Sequence, residues 1–338
     1  MQHEILTAAP LLNQKGDLAE PGWARSLLPV YCRDEIKAGK LRIKEWDYYL
    51  ITDGHIGLAL TIADNGYMGL DSISFLHFDE GWEQTKSPMR LFPRGKTGLP
   101  ETSVDGASEI ARGGYAMAFY HEDDARCLTF HMDNFRGKDA IEGIVRLTDE
   151  PRESIVIATP FEKPKHFYYN QKINCLRAEG WIELGDRRFE LTPDRFFAVL
   201  DWGRGVWTYH NTWYWGSASG LLDGVPFGWN IGYGFGNTAA ASENALFYDG
   251  TLHKLNRVTF EIPQKDGKYD YLAPWKFTSD DNRFYMNFTP VLDRSACMNV
   301  GVLKSDQHQV FGHFTGRVTL DDGTVLPVRD FFGFAERV

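Results

Sequence analysis

Hydrophobic and polar residues alternate along most of this chain with the period of two that is typical of β-strands. The run Tyr48 to Thr52 meets Asp53-Gly54 and resumes from His55 to Ala63, which predicts a hairpin because Asp-Gly tolerates the positive φ angles of a tight turn. Similar turn signals recur at Leu184-Gly185-Asp186, Asp249-Gly250, Asp266-Gly267 and Asp321-Asp322-Gly323. Short strands separated by frequent turns are typical of β-sandwiches and β-barrels.

Helical signals are few. Asp34 is a candidate N-cap for a short helix that starts at Glu35, and residues Asp105 to Arg112 form a second candidate helix. A chain of 338 residues exceeds the size at which single cores usually stop growing. We therefore expect an all-β fold of two antiparallel β-barrels or closely packed β-sandwiches in tandem with few short helices, divided into an N-terminal domain of residues 1–190 and a C-terminal domain of residues 191–338.

Composition narrows the possible functions. The formal net charge of -10 disfavours a nucleic-acid partner, which requires clustered Lys and Arg. The N-terminal residues lack a basic segment followed by an apolar run, and no stretch approaches about 18 uninterrupted apolar residues, so we expect a cytoplasmic protein without stable membrane insertion. No Cys-x-x-Cys occurs, and buried reduced thiols are expected for the four cysteines, Cys32, Cys127, Cys175 and Cys297.

Residues 201 to 215 hold four of the ten tryptophans. If the second half of this segment is a strand, alternate side chains share one face, and that face carries Trp207, Tyr209, Asn211, Trp213 and Trp215. Trp and Tyr combine a large apolar area with one polar edge, which suits the lining of a pocket for an apolar small molecule. The alternative is that these rings fill a core.

Two further segments offer ligand-binding candidates. In the run from Phe227 to Gly236, a strand would place Asn230 among glycines on a nearly bare face, which indicates either a close backbone approach or a ligand-facing floor. In the segment from Lys44 to Tyr49, the side chains of Lys44, Trp46 and Tyr48 would share one face. That face borders a pocket or is a plain sheet surface.

Two carboxyl groups are candidates for chemistry. Glu243 would share a strand face with Ala241, Ala245 and Phe247, and burial would raise its pKa so that it could act as a general acid. The alternative is a buried Glu paired with an arginine or held by backbone hydrogen bonds. Asp201 follows an apolar run directly, and Arg204 is close enough in sequence to pair with it, as a catalyst or as scaffold.

Several other chemistries lack their motifs. The ten histidines are scattered and no His-Glu-x-x-His occurs, so no metal site is expected. The Gly-x-Gly-x-Gly string from Gly232 lacks the features of a dinucleotide loop, and no Gly-x-Ser-x-Gly elbow is present. We therefore expect no cofactor.

Long motifs carry a resemblance to a known family. The chain resembles the DUF2804 family over nearly its whole length, through GWAR from Gly22, KEWDYY from Lys44, TIADNGY from Thr61, FYYNQKINCL from Phe167, DWGRGVWTYHNTWYWGSASG from Asp201, SENALFYDGTLHKL from Ser242 and QHQVFGHFTG from Gln307. The family is defined by sequence, so the resemblance implies a fold more readily than a reaction.

A second resemblance covers one landmark. The Asp-Trp-Gly run at Asp201, the following Trp-x-Trp and the turn from Leu221 to Gly224 are similar to the junction region of the hydroxyneurosporene synthase and AttH group. That group includes carotenoid hydratases and is similar to lipocalin-like cyclases built from two calycin-type barrels. The resemblance implies a tandem barrel that binds an apolar, unsaturated molecule, with Asp201 at the position of an alkene-protonating acid. The nearby Arg204 departs from the pattern, because a salt-bridged aspartate is a poor acid.

These observations lead to three hypotheses of function. The first is a cofactor-independent enzyme, a hydratase, cyclase or isomerase, that protonates an apolar unsaturated substrate. Asp201 or Glu243 would be its catalytic acid, and its substrate-binding residues would be Trp46, Trp202, Arg204, Trp207, Tyr209, Asn211, Trp213, Trp215 and Asn230. The second is a non-catalytic lipid-binding or small-molecule-binding protein, and the third is a carbohydrate-processing or carbohydrate-binding β-protein whose carboxyls face each other across an open groove. The sequence leaves the substrate and the oligomeric state open.

Overall fold

A computed structural model describes the backbone of residues 2–300 and 303–338, and the side chains of this part of the chain outside residues 297–305. Only one helical element occurs in it, a short 3-10 helix at Arg33–Glu35, and no helix is long and apolar enough to cross a membrane. The strands are β1 (Ala9–Pro10), β2 (Gly22–Ala24), β3 (Pro29–Val30), β4 (Lys44–Thr52), β5 (Ile56–Asp64), β6 (Met68–His77), β7 (Trp82–Lys86), β8 (Met89–Leu91), β9 (Ser108–Arg112), β10 (Tyr115–Glu122), β11 (Ala125–Arg136), β12 (Asp139–Thr148), β13 (Ile155–Pro160), β14 (Phe167–Leu184), β15 (Arg187–Leu191), β16 (Phe197–Val206), β17 (Tyr214–Leu222), β18 (Val225–Tyr233), β19 (Ala245–Tyr248), β20 (Thr251–Lys254), β21 (Val258–Glu261), β22 (Gln264–Lys265), β23 (Lys268–Tyr269), β24 (Trp275–Ser279), β25 (Phe284–Val300), β26 (Leu303–Thr319) and β27 (Val325–Arg337).

Two large antiparallel sheets contain most of these strands. The first sheet has the order β7-β6-β5-β4-β16-β14-β12-β11-β10-β9, with β2, β8, β13 and β15 attached beside this path. The second sheet has the order β20-β19-β18-β17-β27-β26-β25-β24-β21. The chain passes from the first sheet to the second between Val206 and Tyr214. The division into domains at residue 190 stays a prediction.

Each sheet has a core of its own. In the first sheet, inward side chains such as Leu58, Phe75 and Leu128 are fully buried, and in the second sheet Trp229 and Phe277 are equally buried. Burial of one large apolar side chain stabilises the fold by about 1.5 to 3 kcal/mol. Because side chains alternate along a strand, each sheet has a second face that points away from its own core. The second faces of the two sheets pack against each other, and the candidate site lies between them.

A bulge in β14 helps to dock the two sheets. Cys175 has a φ of 63°, and the pairing register with β16 shifts between Ile173 and Leu176. The distortion turns Asn174 toward the second sheet, where its Nδ2 donates to Ser217 Oγ at 2.8 Å, and the Cys175 N–H donates to Ser219 Oγ at 3.0 Å. These bonds satisfy buried polar groups at the contact between the sheets.

The turn predictions are confirmed, and the helix predictions are wrong. Asp53-Gly54 joins β4 to β5, and Asp249-Gly250 joins β19 to β20. Asp34 lies within the 3-10 helix rather than capping it, because Cys32 occupies the N-cap position. Residues from Ser108 to Arg112 form β9 instead of a helix, since pairing with β10 supplies their backbone hydrogen bonds.

The thiol prediction is confirmed for two of the cysteines. Cys127 and Cys175 are free and buried, whereas Cys32 is free and only partly buried. The side chain of Cys297 lies outside the described residues.

Candidate functional site

A layer of polar side chains is buried between the two sheets. The first sheet contributes three side chains, those of Asn170 and Lys172 in β14 and Asp201 in β16. They share one face, because Lys172 pairs with Asp201 in the neighbouring strand and Asn170 lies two residues before Lys172. That face points toward the second sheet, where Lys172 meets Glu243. From the second sheet, Asn230 of β18 points back toward them. The layer is therefore assembled from strands that are far apart in sequence.

Lys172 holds the centre of this layer. Its Nζ lies 2.8 Å from Asp201 Oδ2 and 3.5 Å from Glu243 Oε2, and 3.9 Å from the centre of the Trp215 ring. The side chains of Lys172, Asp201 and Glu243 are only 3%, 10% and 14% exposed. Asn170 Nδ2 donates to Asp201 Oδ1 at 2.6 Å. Each Asp201 oxygen thus has a partner, Asn170 for Oδ1 and Lys172 for Oδ2.

Glu243 precedes β19 and is oriented by a chain of hydrogen bonds. Trp215 Nε1, which can only donate, donates to Asn230 Oδ1 at 2.7 Å, so the Asn230 amide must present its Nδ2 to Glu243. That Nδ2 donates to Glu243 Oε2 at 3.0 Å and to the Glu243 carbonyl at 3.1 Å. Gly232 makes room for the carboxyl, since a Cβ there would lie 2.3 Å from Glu243 Oε1.

Burial raises the pKa of the Glu243 carboxyl, and the neighbouring Asp201 charge raises it further, while Lys172 and Asn230 oppose the shift. Because Oε2 accepts from Asn230 and faces the Lys172 ammonium, a proton on Glu243 is expected at Oε1. The carboxyl is buried, but it lies among polar groups and precedes the strand instead of lying on a strand face, and its cationic partner is a lysine and not an arginine.

An assembly of aromatic rings extends from this layer. The Trp46 ring stacks on Tyr168 with centroids 5.8 Å apart and meets the Trp207 ring edge-on at 5.3 Å. Phe235 contacts Tyr168 and Trp207, at 4.9 and 5.2 Å. Gly203 permits this packing, because a Cβ there would lie 2.3 Å from the Trp46 ring. The Asp201 and Glu243 charges contribute to a pKa of Tyr168 that lies well above its ordinary value, after burial as the main cause.

A further carboxyl, that of Glu336 in β27, was not identified from the sequence. Trp213 Nε1 donates to its Oε1 at 3.1 Å, and Gln307 Nε2 donates to its Oε2 at 2.8 Å. Burial raises its pKa. A signal for it exists, since Glu336 follows Phe332 and Phe334 on one strand face, the same pattern that identifies Glu243.

Lys172 and Asn170 were also missed as site residues. Both lie within the FYYNQKINCL motif, in a strand stretch that is buried on both faces. A lysine at an interior position of a buried strand is the signal that could have identified the site, because an isolated buried ammonium requires a partner.

The tryptophan-rich segment is not one continuous strand, so the prediction of a shared face from Trp207 to Trp215 is wrong. Residues 207–212 connect the two sheets outside the strands, which removes the alternation there, whereas Trp213 exchanges backbone hydrogen bonds with Val338 next to β17. Trp207, Trp213 and Trp215 nevertheless lie at the contact between the sheets. Tyr209 is 70% exposed, and Asn211 hydrogen-bonds locally to Thr208.

The expected pairing of Asp201 with Arg204 is wrong as well. The two residues are three positions apart in a strand, so their side chains point to opposite faces. Arg204 is fully buried within the first sheet, 3.0 Å from Asp47 Oδ1, and its guanidinium lies 4.1 Å from the Trp202 ring. Trp202 and Arg204 therefore belong to the first core and not to the layer between the sheets.

A small cavity of about 20 Å³ lies between the sheets, and none of the polar-layer residues lines it. Its walls include Val199, two residues before Asp201 on the same face, and Ser217, two residues after Trp215. Among the residues that the structure describes, no group of three or more His, Cys, Asp and Glu side chains is arranged to hold a metal ion. The Asp201 and Glu243 carboxyls both contact the Lys172 ammonium in a buried layer. The carbohydrate hypothesis requires instead that two carboxyls face each other across an open groove.

Comparisons with known proteins agree with this architecture. The family described as "Domain of unknown function (DUF2804)" matches residues 2–338. No curated protein matches the sequence. An AttH protein from Nitrosomonas europaea is similar in structure, with 12% identity, a TM-score of 0.57, and coverage of 98% of this chain and 99% of the other. Kievitone hydratase from Nectria haematococca is similar at 10% identity and a TM-score of 0.52, covering 100% of this chain and 96% of the other. The chain thus has the all-β, lipocalin-like fold that the resemblance implies.

Proposed function

The chain belongs to the DUF2804 family, and we propose that it is a cofactor-independent enzyme that protonates an apolar, unsaturated small molecule, with Glu243 as the general acid. The observation that carries the proposal is the buried Glu243 carboxyl, whose pKa is raised and whose Oε2 is fixed by Asn230 and Lys172. A carboxyl that keeps its proton near neutral pH can deliver it to a carbon–carbon double bond.

In the proposed step, the Oε1–H bond of Glu243 breaks and a new C–H bond forms at one alkene carbon. The electron pair of the double bond makes that bond, so the other alkene carbon becomes cationic. Aromatic faces such as those of Tyr168 and Trp46 stabilise positive charge, and the Glu243 carboxylate left behind is stabilised by Lys172. The cation is then neutralised in one of three ways. A hydratase adds water, and the added water loses a proton; a cyclase closes a ring by attack of a second double bond, and the ring cation loses a proton; an isomerase removes a different proton from a neighbouring carbon. In each case the proton that is lost restores the Glu243 carboxyl, directly or through water.

Asp201 has a different role in this proposal. Its Oδ1 accepts a hydrogen bond from Asn170 and its Oδ2 faces Lys172, so it acts as a positioning partner that holds the Lys172 side chain in place. Asn170 Oδ1 is buried and has no hydrogen-bond partner in the described part of the chain, which makes it an acceptor for a water molecule or a substrate hydroxyl.

The similarity to kievitone hydratase supports the proposal only at the level of the fold, because sequence identity is 10%. The same two-sheet architecture hosts a hydratase there. In this chain the case for protonation chemistry comes from its own buried carboxyl.

The test measures proton delivery directly. Unsaturated molecules extracted from freshly purified protein, and a panel of polyenes, are incubated with the protein in D2O, and carbon-bound deuterium is detected by mass spectrometry. The native protein is expected to introduce deuterium, and Glu243→Gln is expected to lose at least about 100-fold in rate. The matched control, Glu261→Gln, removes an exposed carboxyl of β21 and should retain the native rate.

Two outcomes would contradict the proposal. Undiminished deuterium incorporation by Glu243→Gln would show that another group is the acid, and Asp201→Asn would then be compared with it. A molecule that binds to the native protein and is always recovered without deuterium would favour a binding protein over an enzyme.

A further inference from the structure

Two cationic side chains lie at the outer end of the aromatic assembly. Lys44 Nζ is 4.4 Å from the centre of the Tyr67 ring and 5.5 Å from that of Trp207. The Arg42 guanidinium lies 4.3 Å from the centre of the exposed Tyr209 ring, and its Nη2 donates to the Trp207 carbonyl at 2.7 Å. The irregular segment after β16 thus covers both cations with its aromatic residues.

Neither cation has a carboxylate within ion-pair distance among the residues that the structure describes. Burial, together with the neighbouring Arg42 charge, lowers the pKa of the Lys44 ammonium to about 8. The other titratable groups that face Lys44 and Arg42 are Tyr67, Tyr209 and His166. The His166 Nε2 lies 3.3 Å from Arg42 Nη2. His166 Nδ1 lies 2.9 Å from the Pro164 carbonyl, so the ring presents its Nε2 as an acceptor to Arg42 and adds no negative charge. An anion would compensate the two charges.

The cation pair and the acid are in line. Lys44, Trp46 and Tyr48 share one face of β4, and Tyr48 pairs with Asp201 across the ladder, as Lys44 does with Gly205. Four residues of a strand span about 13 Å, which is therefore the approximate distance along β4 from Lys44 to Tyr48, the residue beside Asp201. The Trp46 ring lies between them and continues into Trp207. The face therefore offers a cationic end, an apolar middle and an acidic end.

We propose that Lys44 and Arg42 bind a carboxylate at one end of an elongated apolar substrate whose unsaturated part reaches Glu243. The substrate class is then a polyene or long-chain unsaturated acid and not a neutral hydrocarbon. This inference rests on the proposed function for its reaction, but the binding of the carboxylate is a separate property. It depends on residues that take no part in proton transfer.

The test compares cis-parinaric acid, a fluorescent tetraene acid, with its methyl ester. Both are titrated into the protein and their dissociation constants are measured from probe fluorescence. The native protein is expected to bind the acid roughly tenfold more tightly than the ester, because hydrogen bonds to a charged group contribute more than those to a neutral one. Lys44→Met is expected to abolish most of this preference.

Three controls make the result specific. Lys44→Arg keeps the charge and should keep the preference, which also shows that the position tolerates substitution. Lys40→Met removes the same charge from an exposed side chain and should leave the preference unchanged. Glu243→Gln should keep the preference even though it removes the proposed acid.

The outcomes separate the two proposals. Equal affinity of the native protein for acid and ester, or an unchanged preference in Lys44→Met, would overturn the carboxylate site, as would the absence of binding of both probes. A preserved preference in a protein that never introduces deuterium would refute the proposed reaction and leave the carboxylate site standing.

Discussion

Replacing Lys172 by Met tests whether one ammonium compensates two buried carboxyls. Lys172 is 3% exposed, and its Nζ faces both Asp201 and Glu243 at 2.8 and 3.5 Å. Methionine keeps the length and the contact with the Trp215 ring but removes the charge. Breaking a buried ion pair by removal of one partner destabilises a protein by about 3 to 5 kcal/mol, because the remaining charge is uncompensated. We expect a loss of free energy of unfolding in that range at pH 8.

The loss is expected to depend on pH in a defined direction. Lys172 lowers the pKa of Glu243, so its removal raises a pKa that burial already holds above the ordinary value of 4.5. A carboxyl whose pKa is higher in the folded state than in the unfolded state stabilises the fold below the unfolded-state pKa, and this stabilisation is lost as pH rises through the folded-state pKa. The cost of Lys172→Met should therefore be small near pH 4.5 and largest in the alkaline range.

Chemical denaturation at pH 5 and pH 8 measures this difference. Lys40→Met is the matched control, since it removes an exposed lysine and should change stability by less than about 0.5 kcal/mol. The triple variant Lys172→Met, Asp201→Asn, Glu243→Gln should regain most of the lost stability, because none of these three positions then carries a charge. A cost that is the same at both pH values, or a triple variant no more stable than the single one, would refute the reasoning.

Two further predictions concern the neighbouring positions. Gly232→Ala should destabilise the protein by about 1 to 3 kcal/mol in thermal unfolding and displace the Glu243 carboxyl, because its Cβ would lie 2.3 Å from Glu243 Oε1 and 2.8 Å from the Tyr214 carbonyl oxygen, whereas Gly39→Ala, with open space around its Cβ, should not. A Gly232→Ala protein as stable as the native one would contradict this prediction. The affinity for cis-parinaric acid should fall as pH rises through about 8, where Lys44 loses its proton, and should be independent of pH across this range in Lys44→Met. A fall of the same size in that variant would show that Lys44 is not the group that titrates.

Much of the fold could be predicted from local patterns. The alternation of residues in β4 assigns Lys44, Trp46 and Tyr48 to one face, and the structure confirms that assignment. Asp-Gly pairs identify hairpin turns because their backbone requirements are local. Local patterns failed where the chain leaves one sheet for another, since residues 207–212 have the composition of a strand but belong to no strand in the structure.

The site was only partly predictable for a related reason. Glu243 and Asn230 attract attention because each has an unusual local environment in sequence. A lysine inside a buried strand is also a signal, but the partners of Lys172 come from β16 and from the segment before β19, and no local pattern identifies them. The way in which the two sheets pack depends on contacts between residues distant in sequence, such as Asn174 with Ser217. The local pattern of hydrophobic and polar residues does not predict such contacts.

The contact between the sheets is mostly apolar, so packing alone does not account for the charged side chains of the polar layer. Much of this contact is apolar, with Leu50, Phe311 and Phe334 buried in it, so the two sheets have a stable way to pack without charge. Placing an ammonium and its carboxyl partners in the same contact carries a desolvation penalty that apolar residues of similar volume would avoid. The hydrogen bonds from Trp215 through Asn230 to Glu243 then orient one carboxyl oxygen and leave the other available. A layer that served packing alone would need neither that orientation nor a carboxyl with a raised pKa, whereas a proton donor needs both.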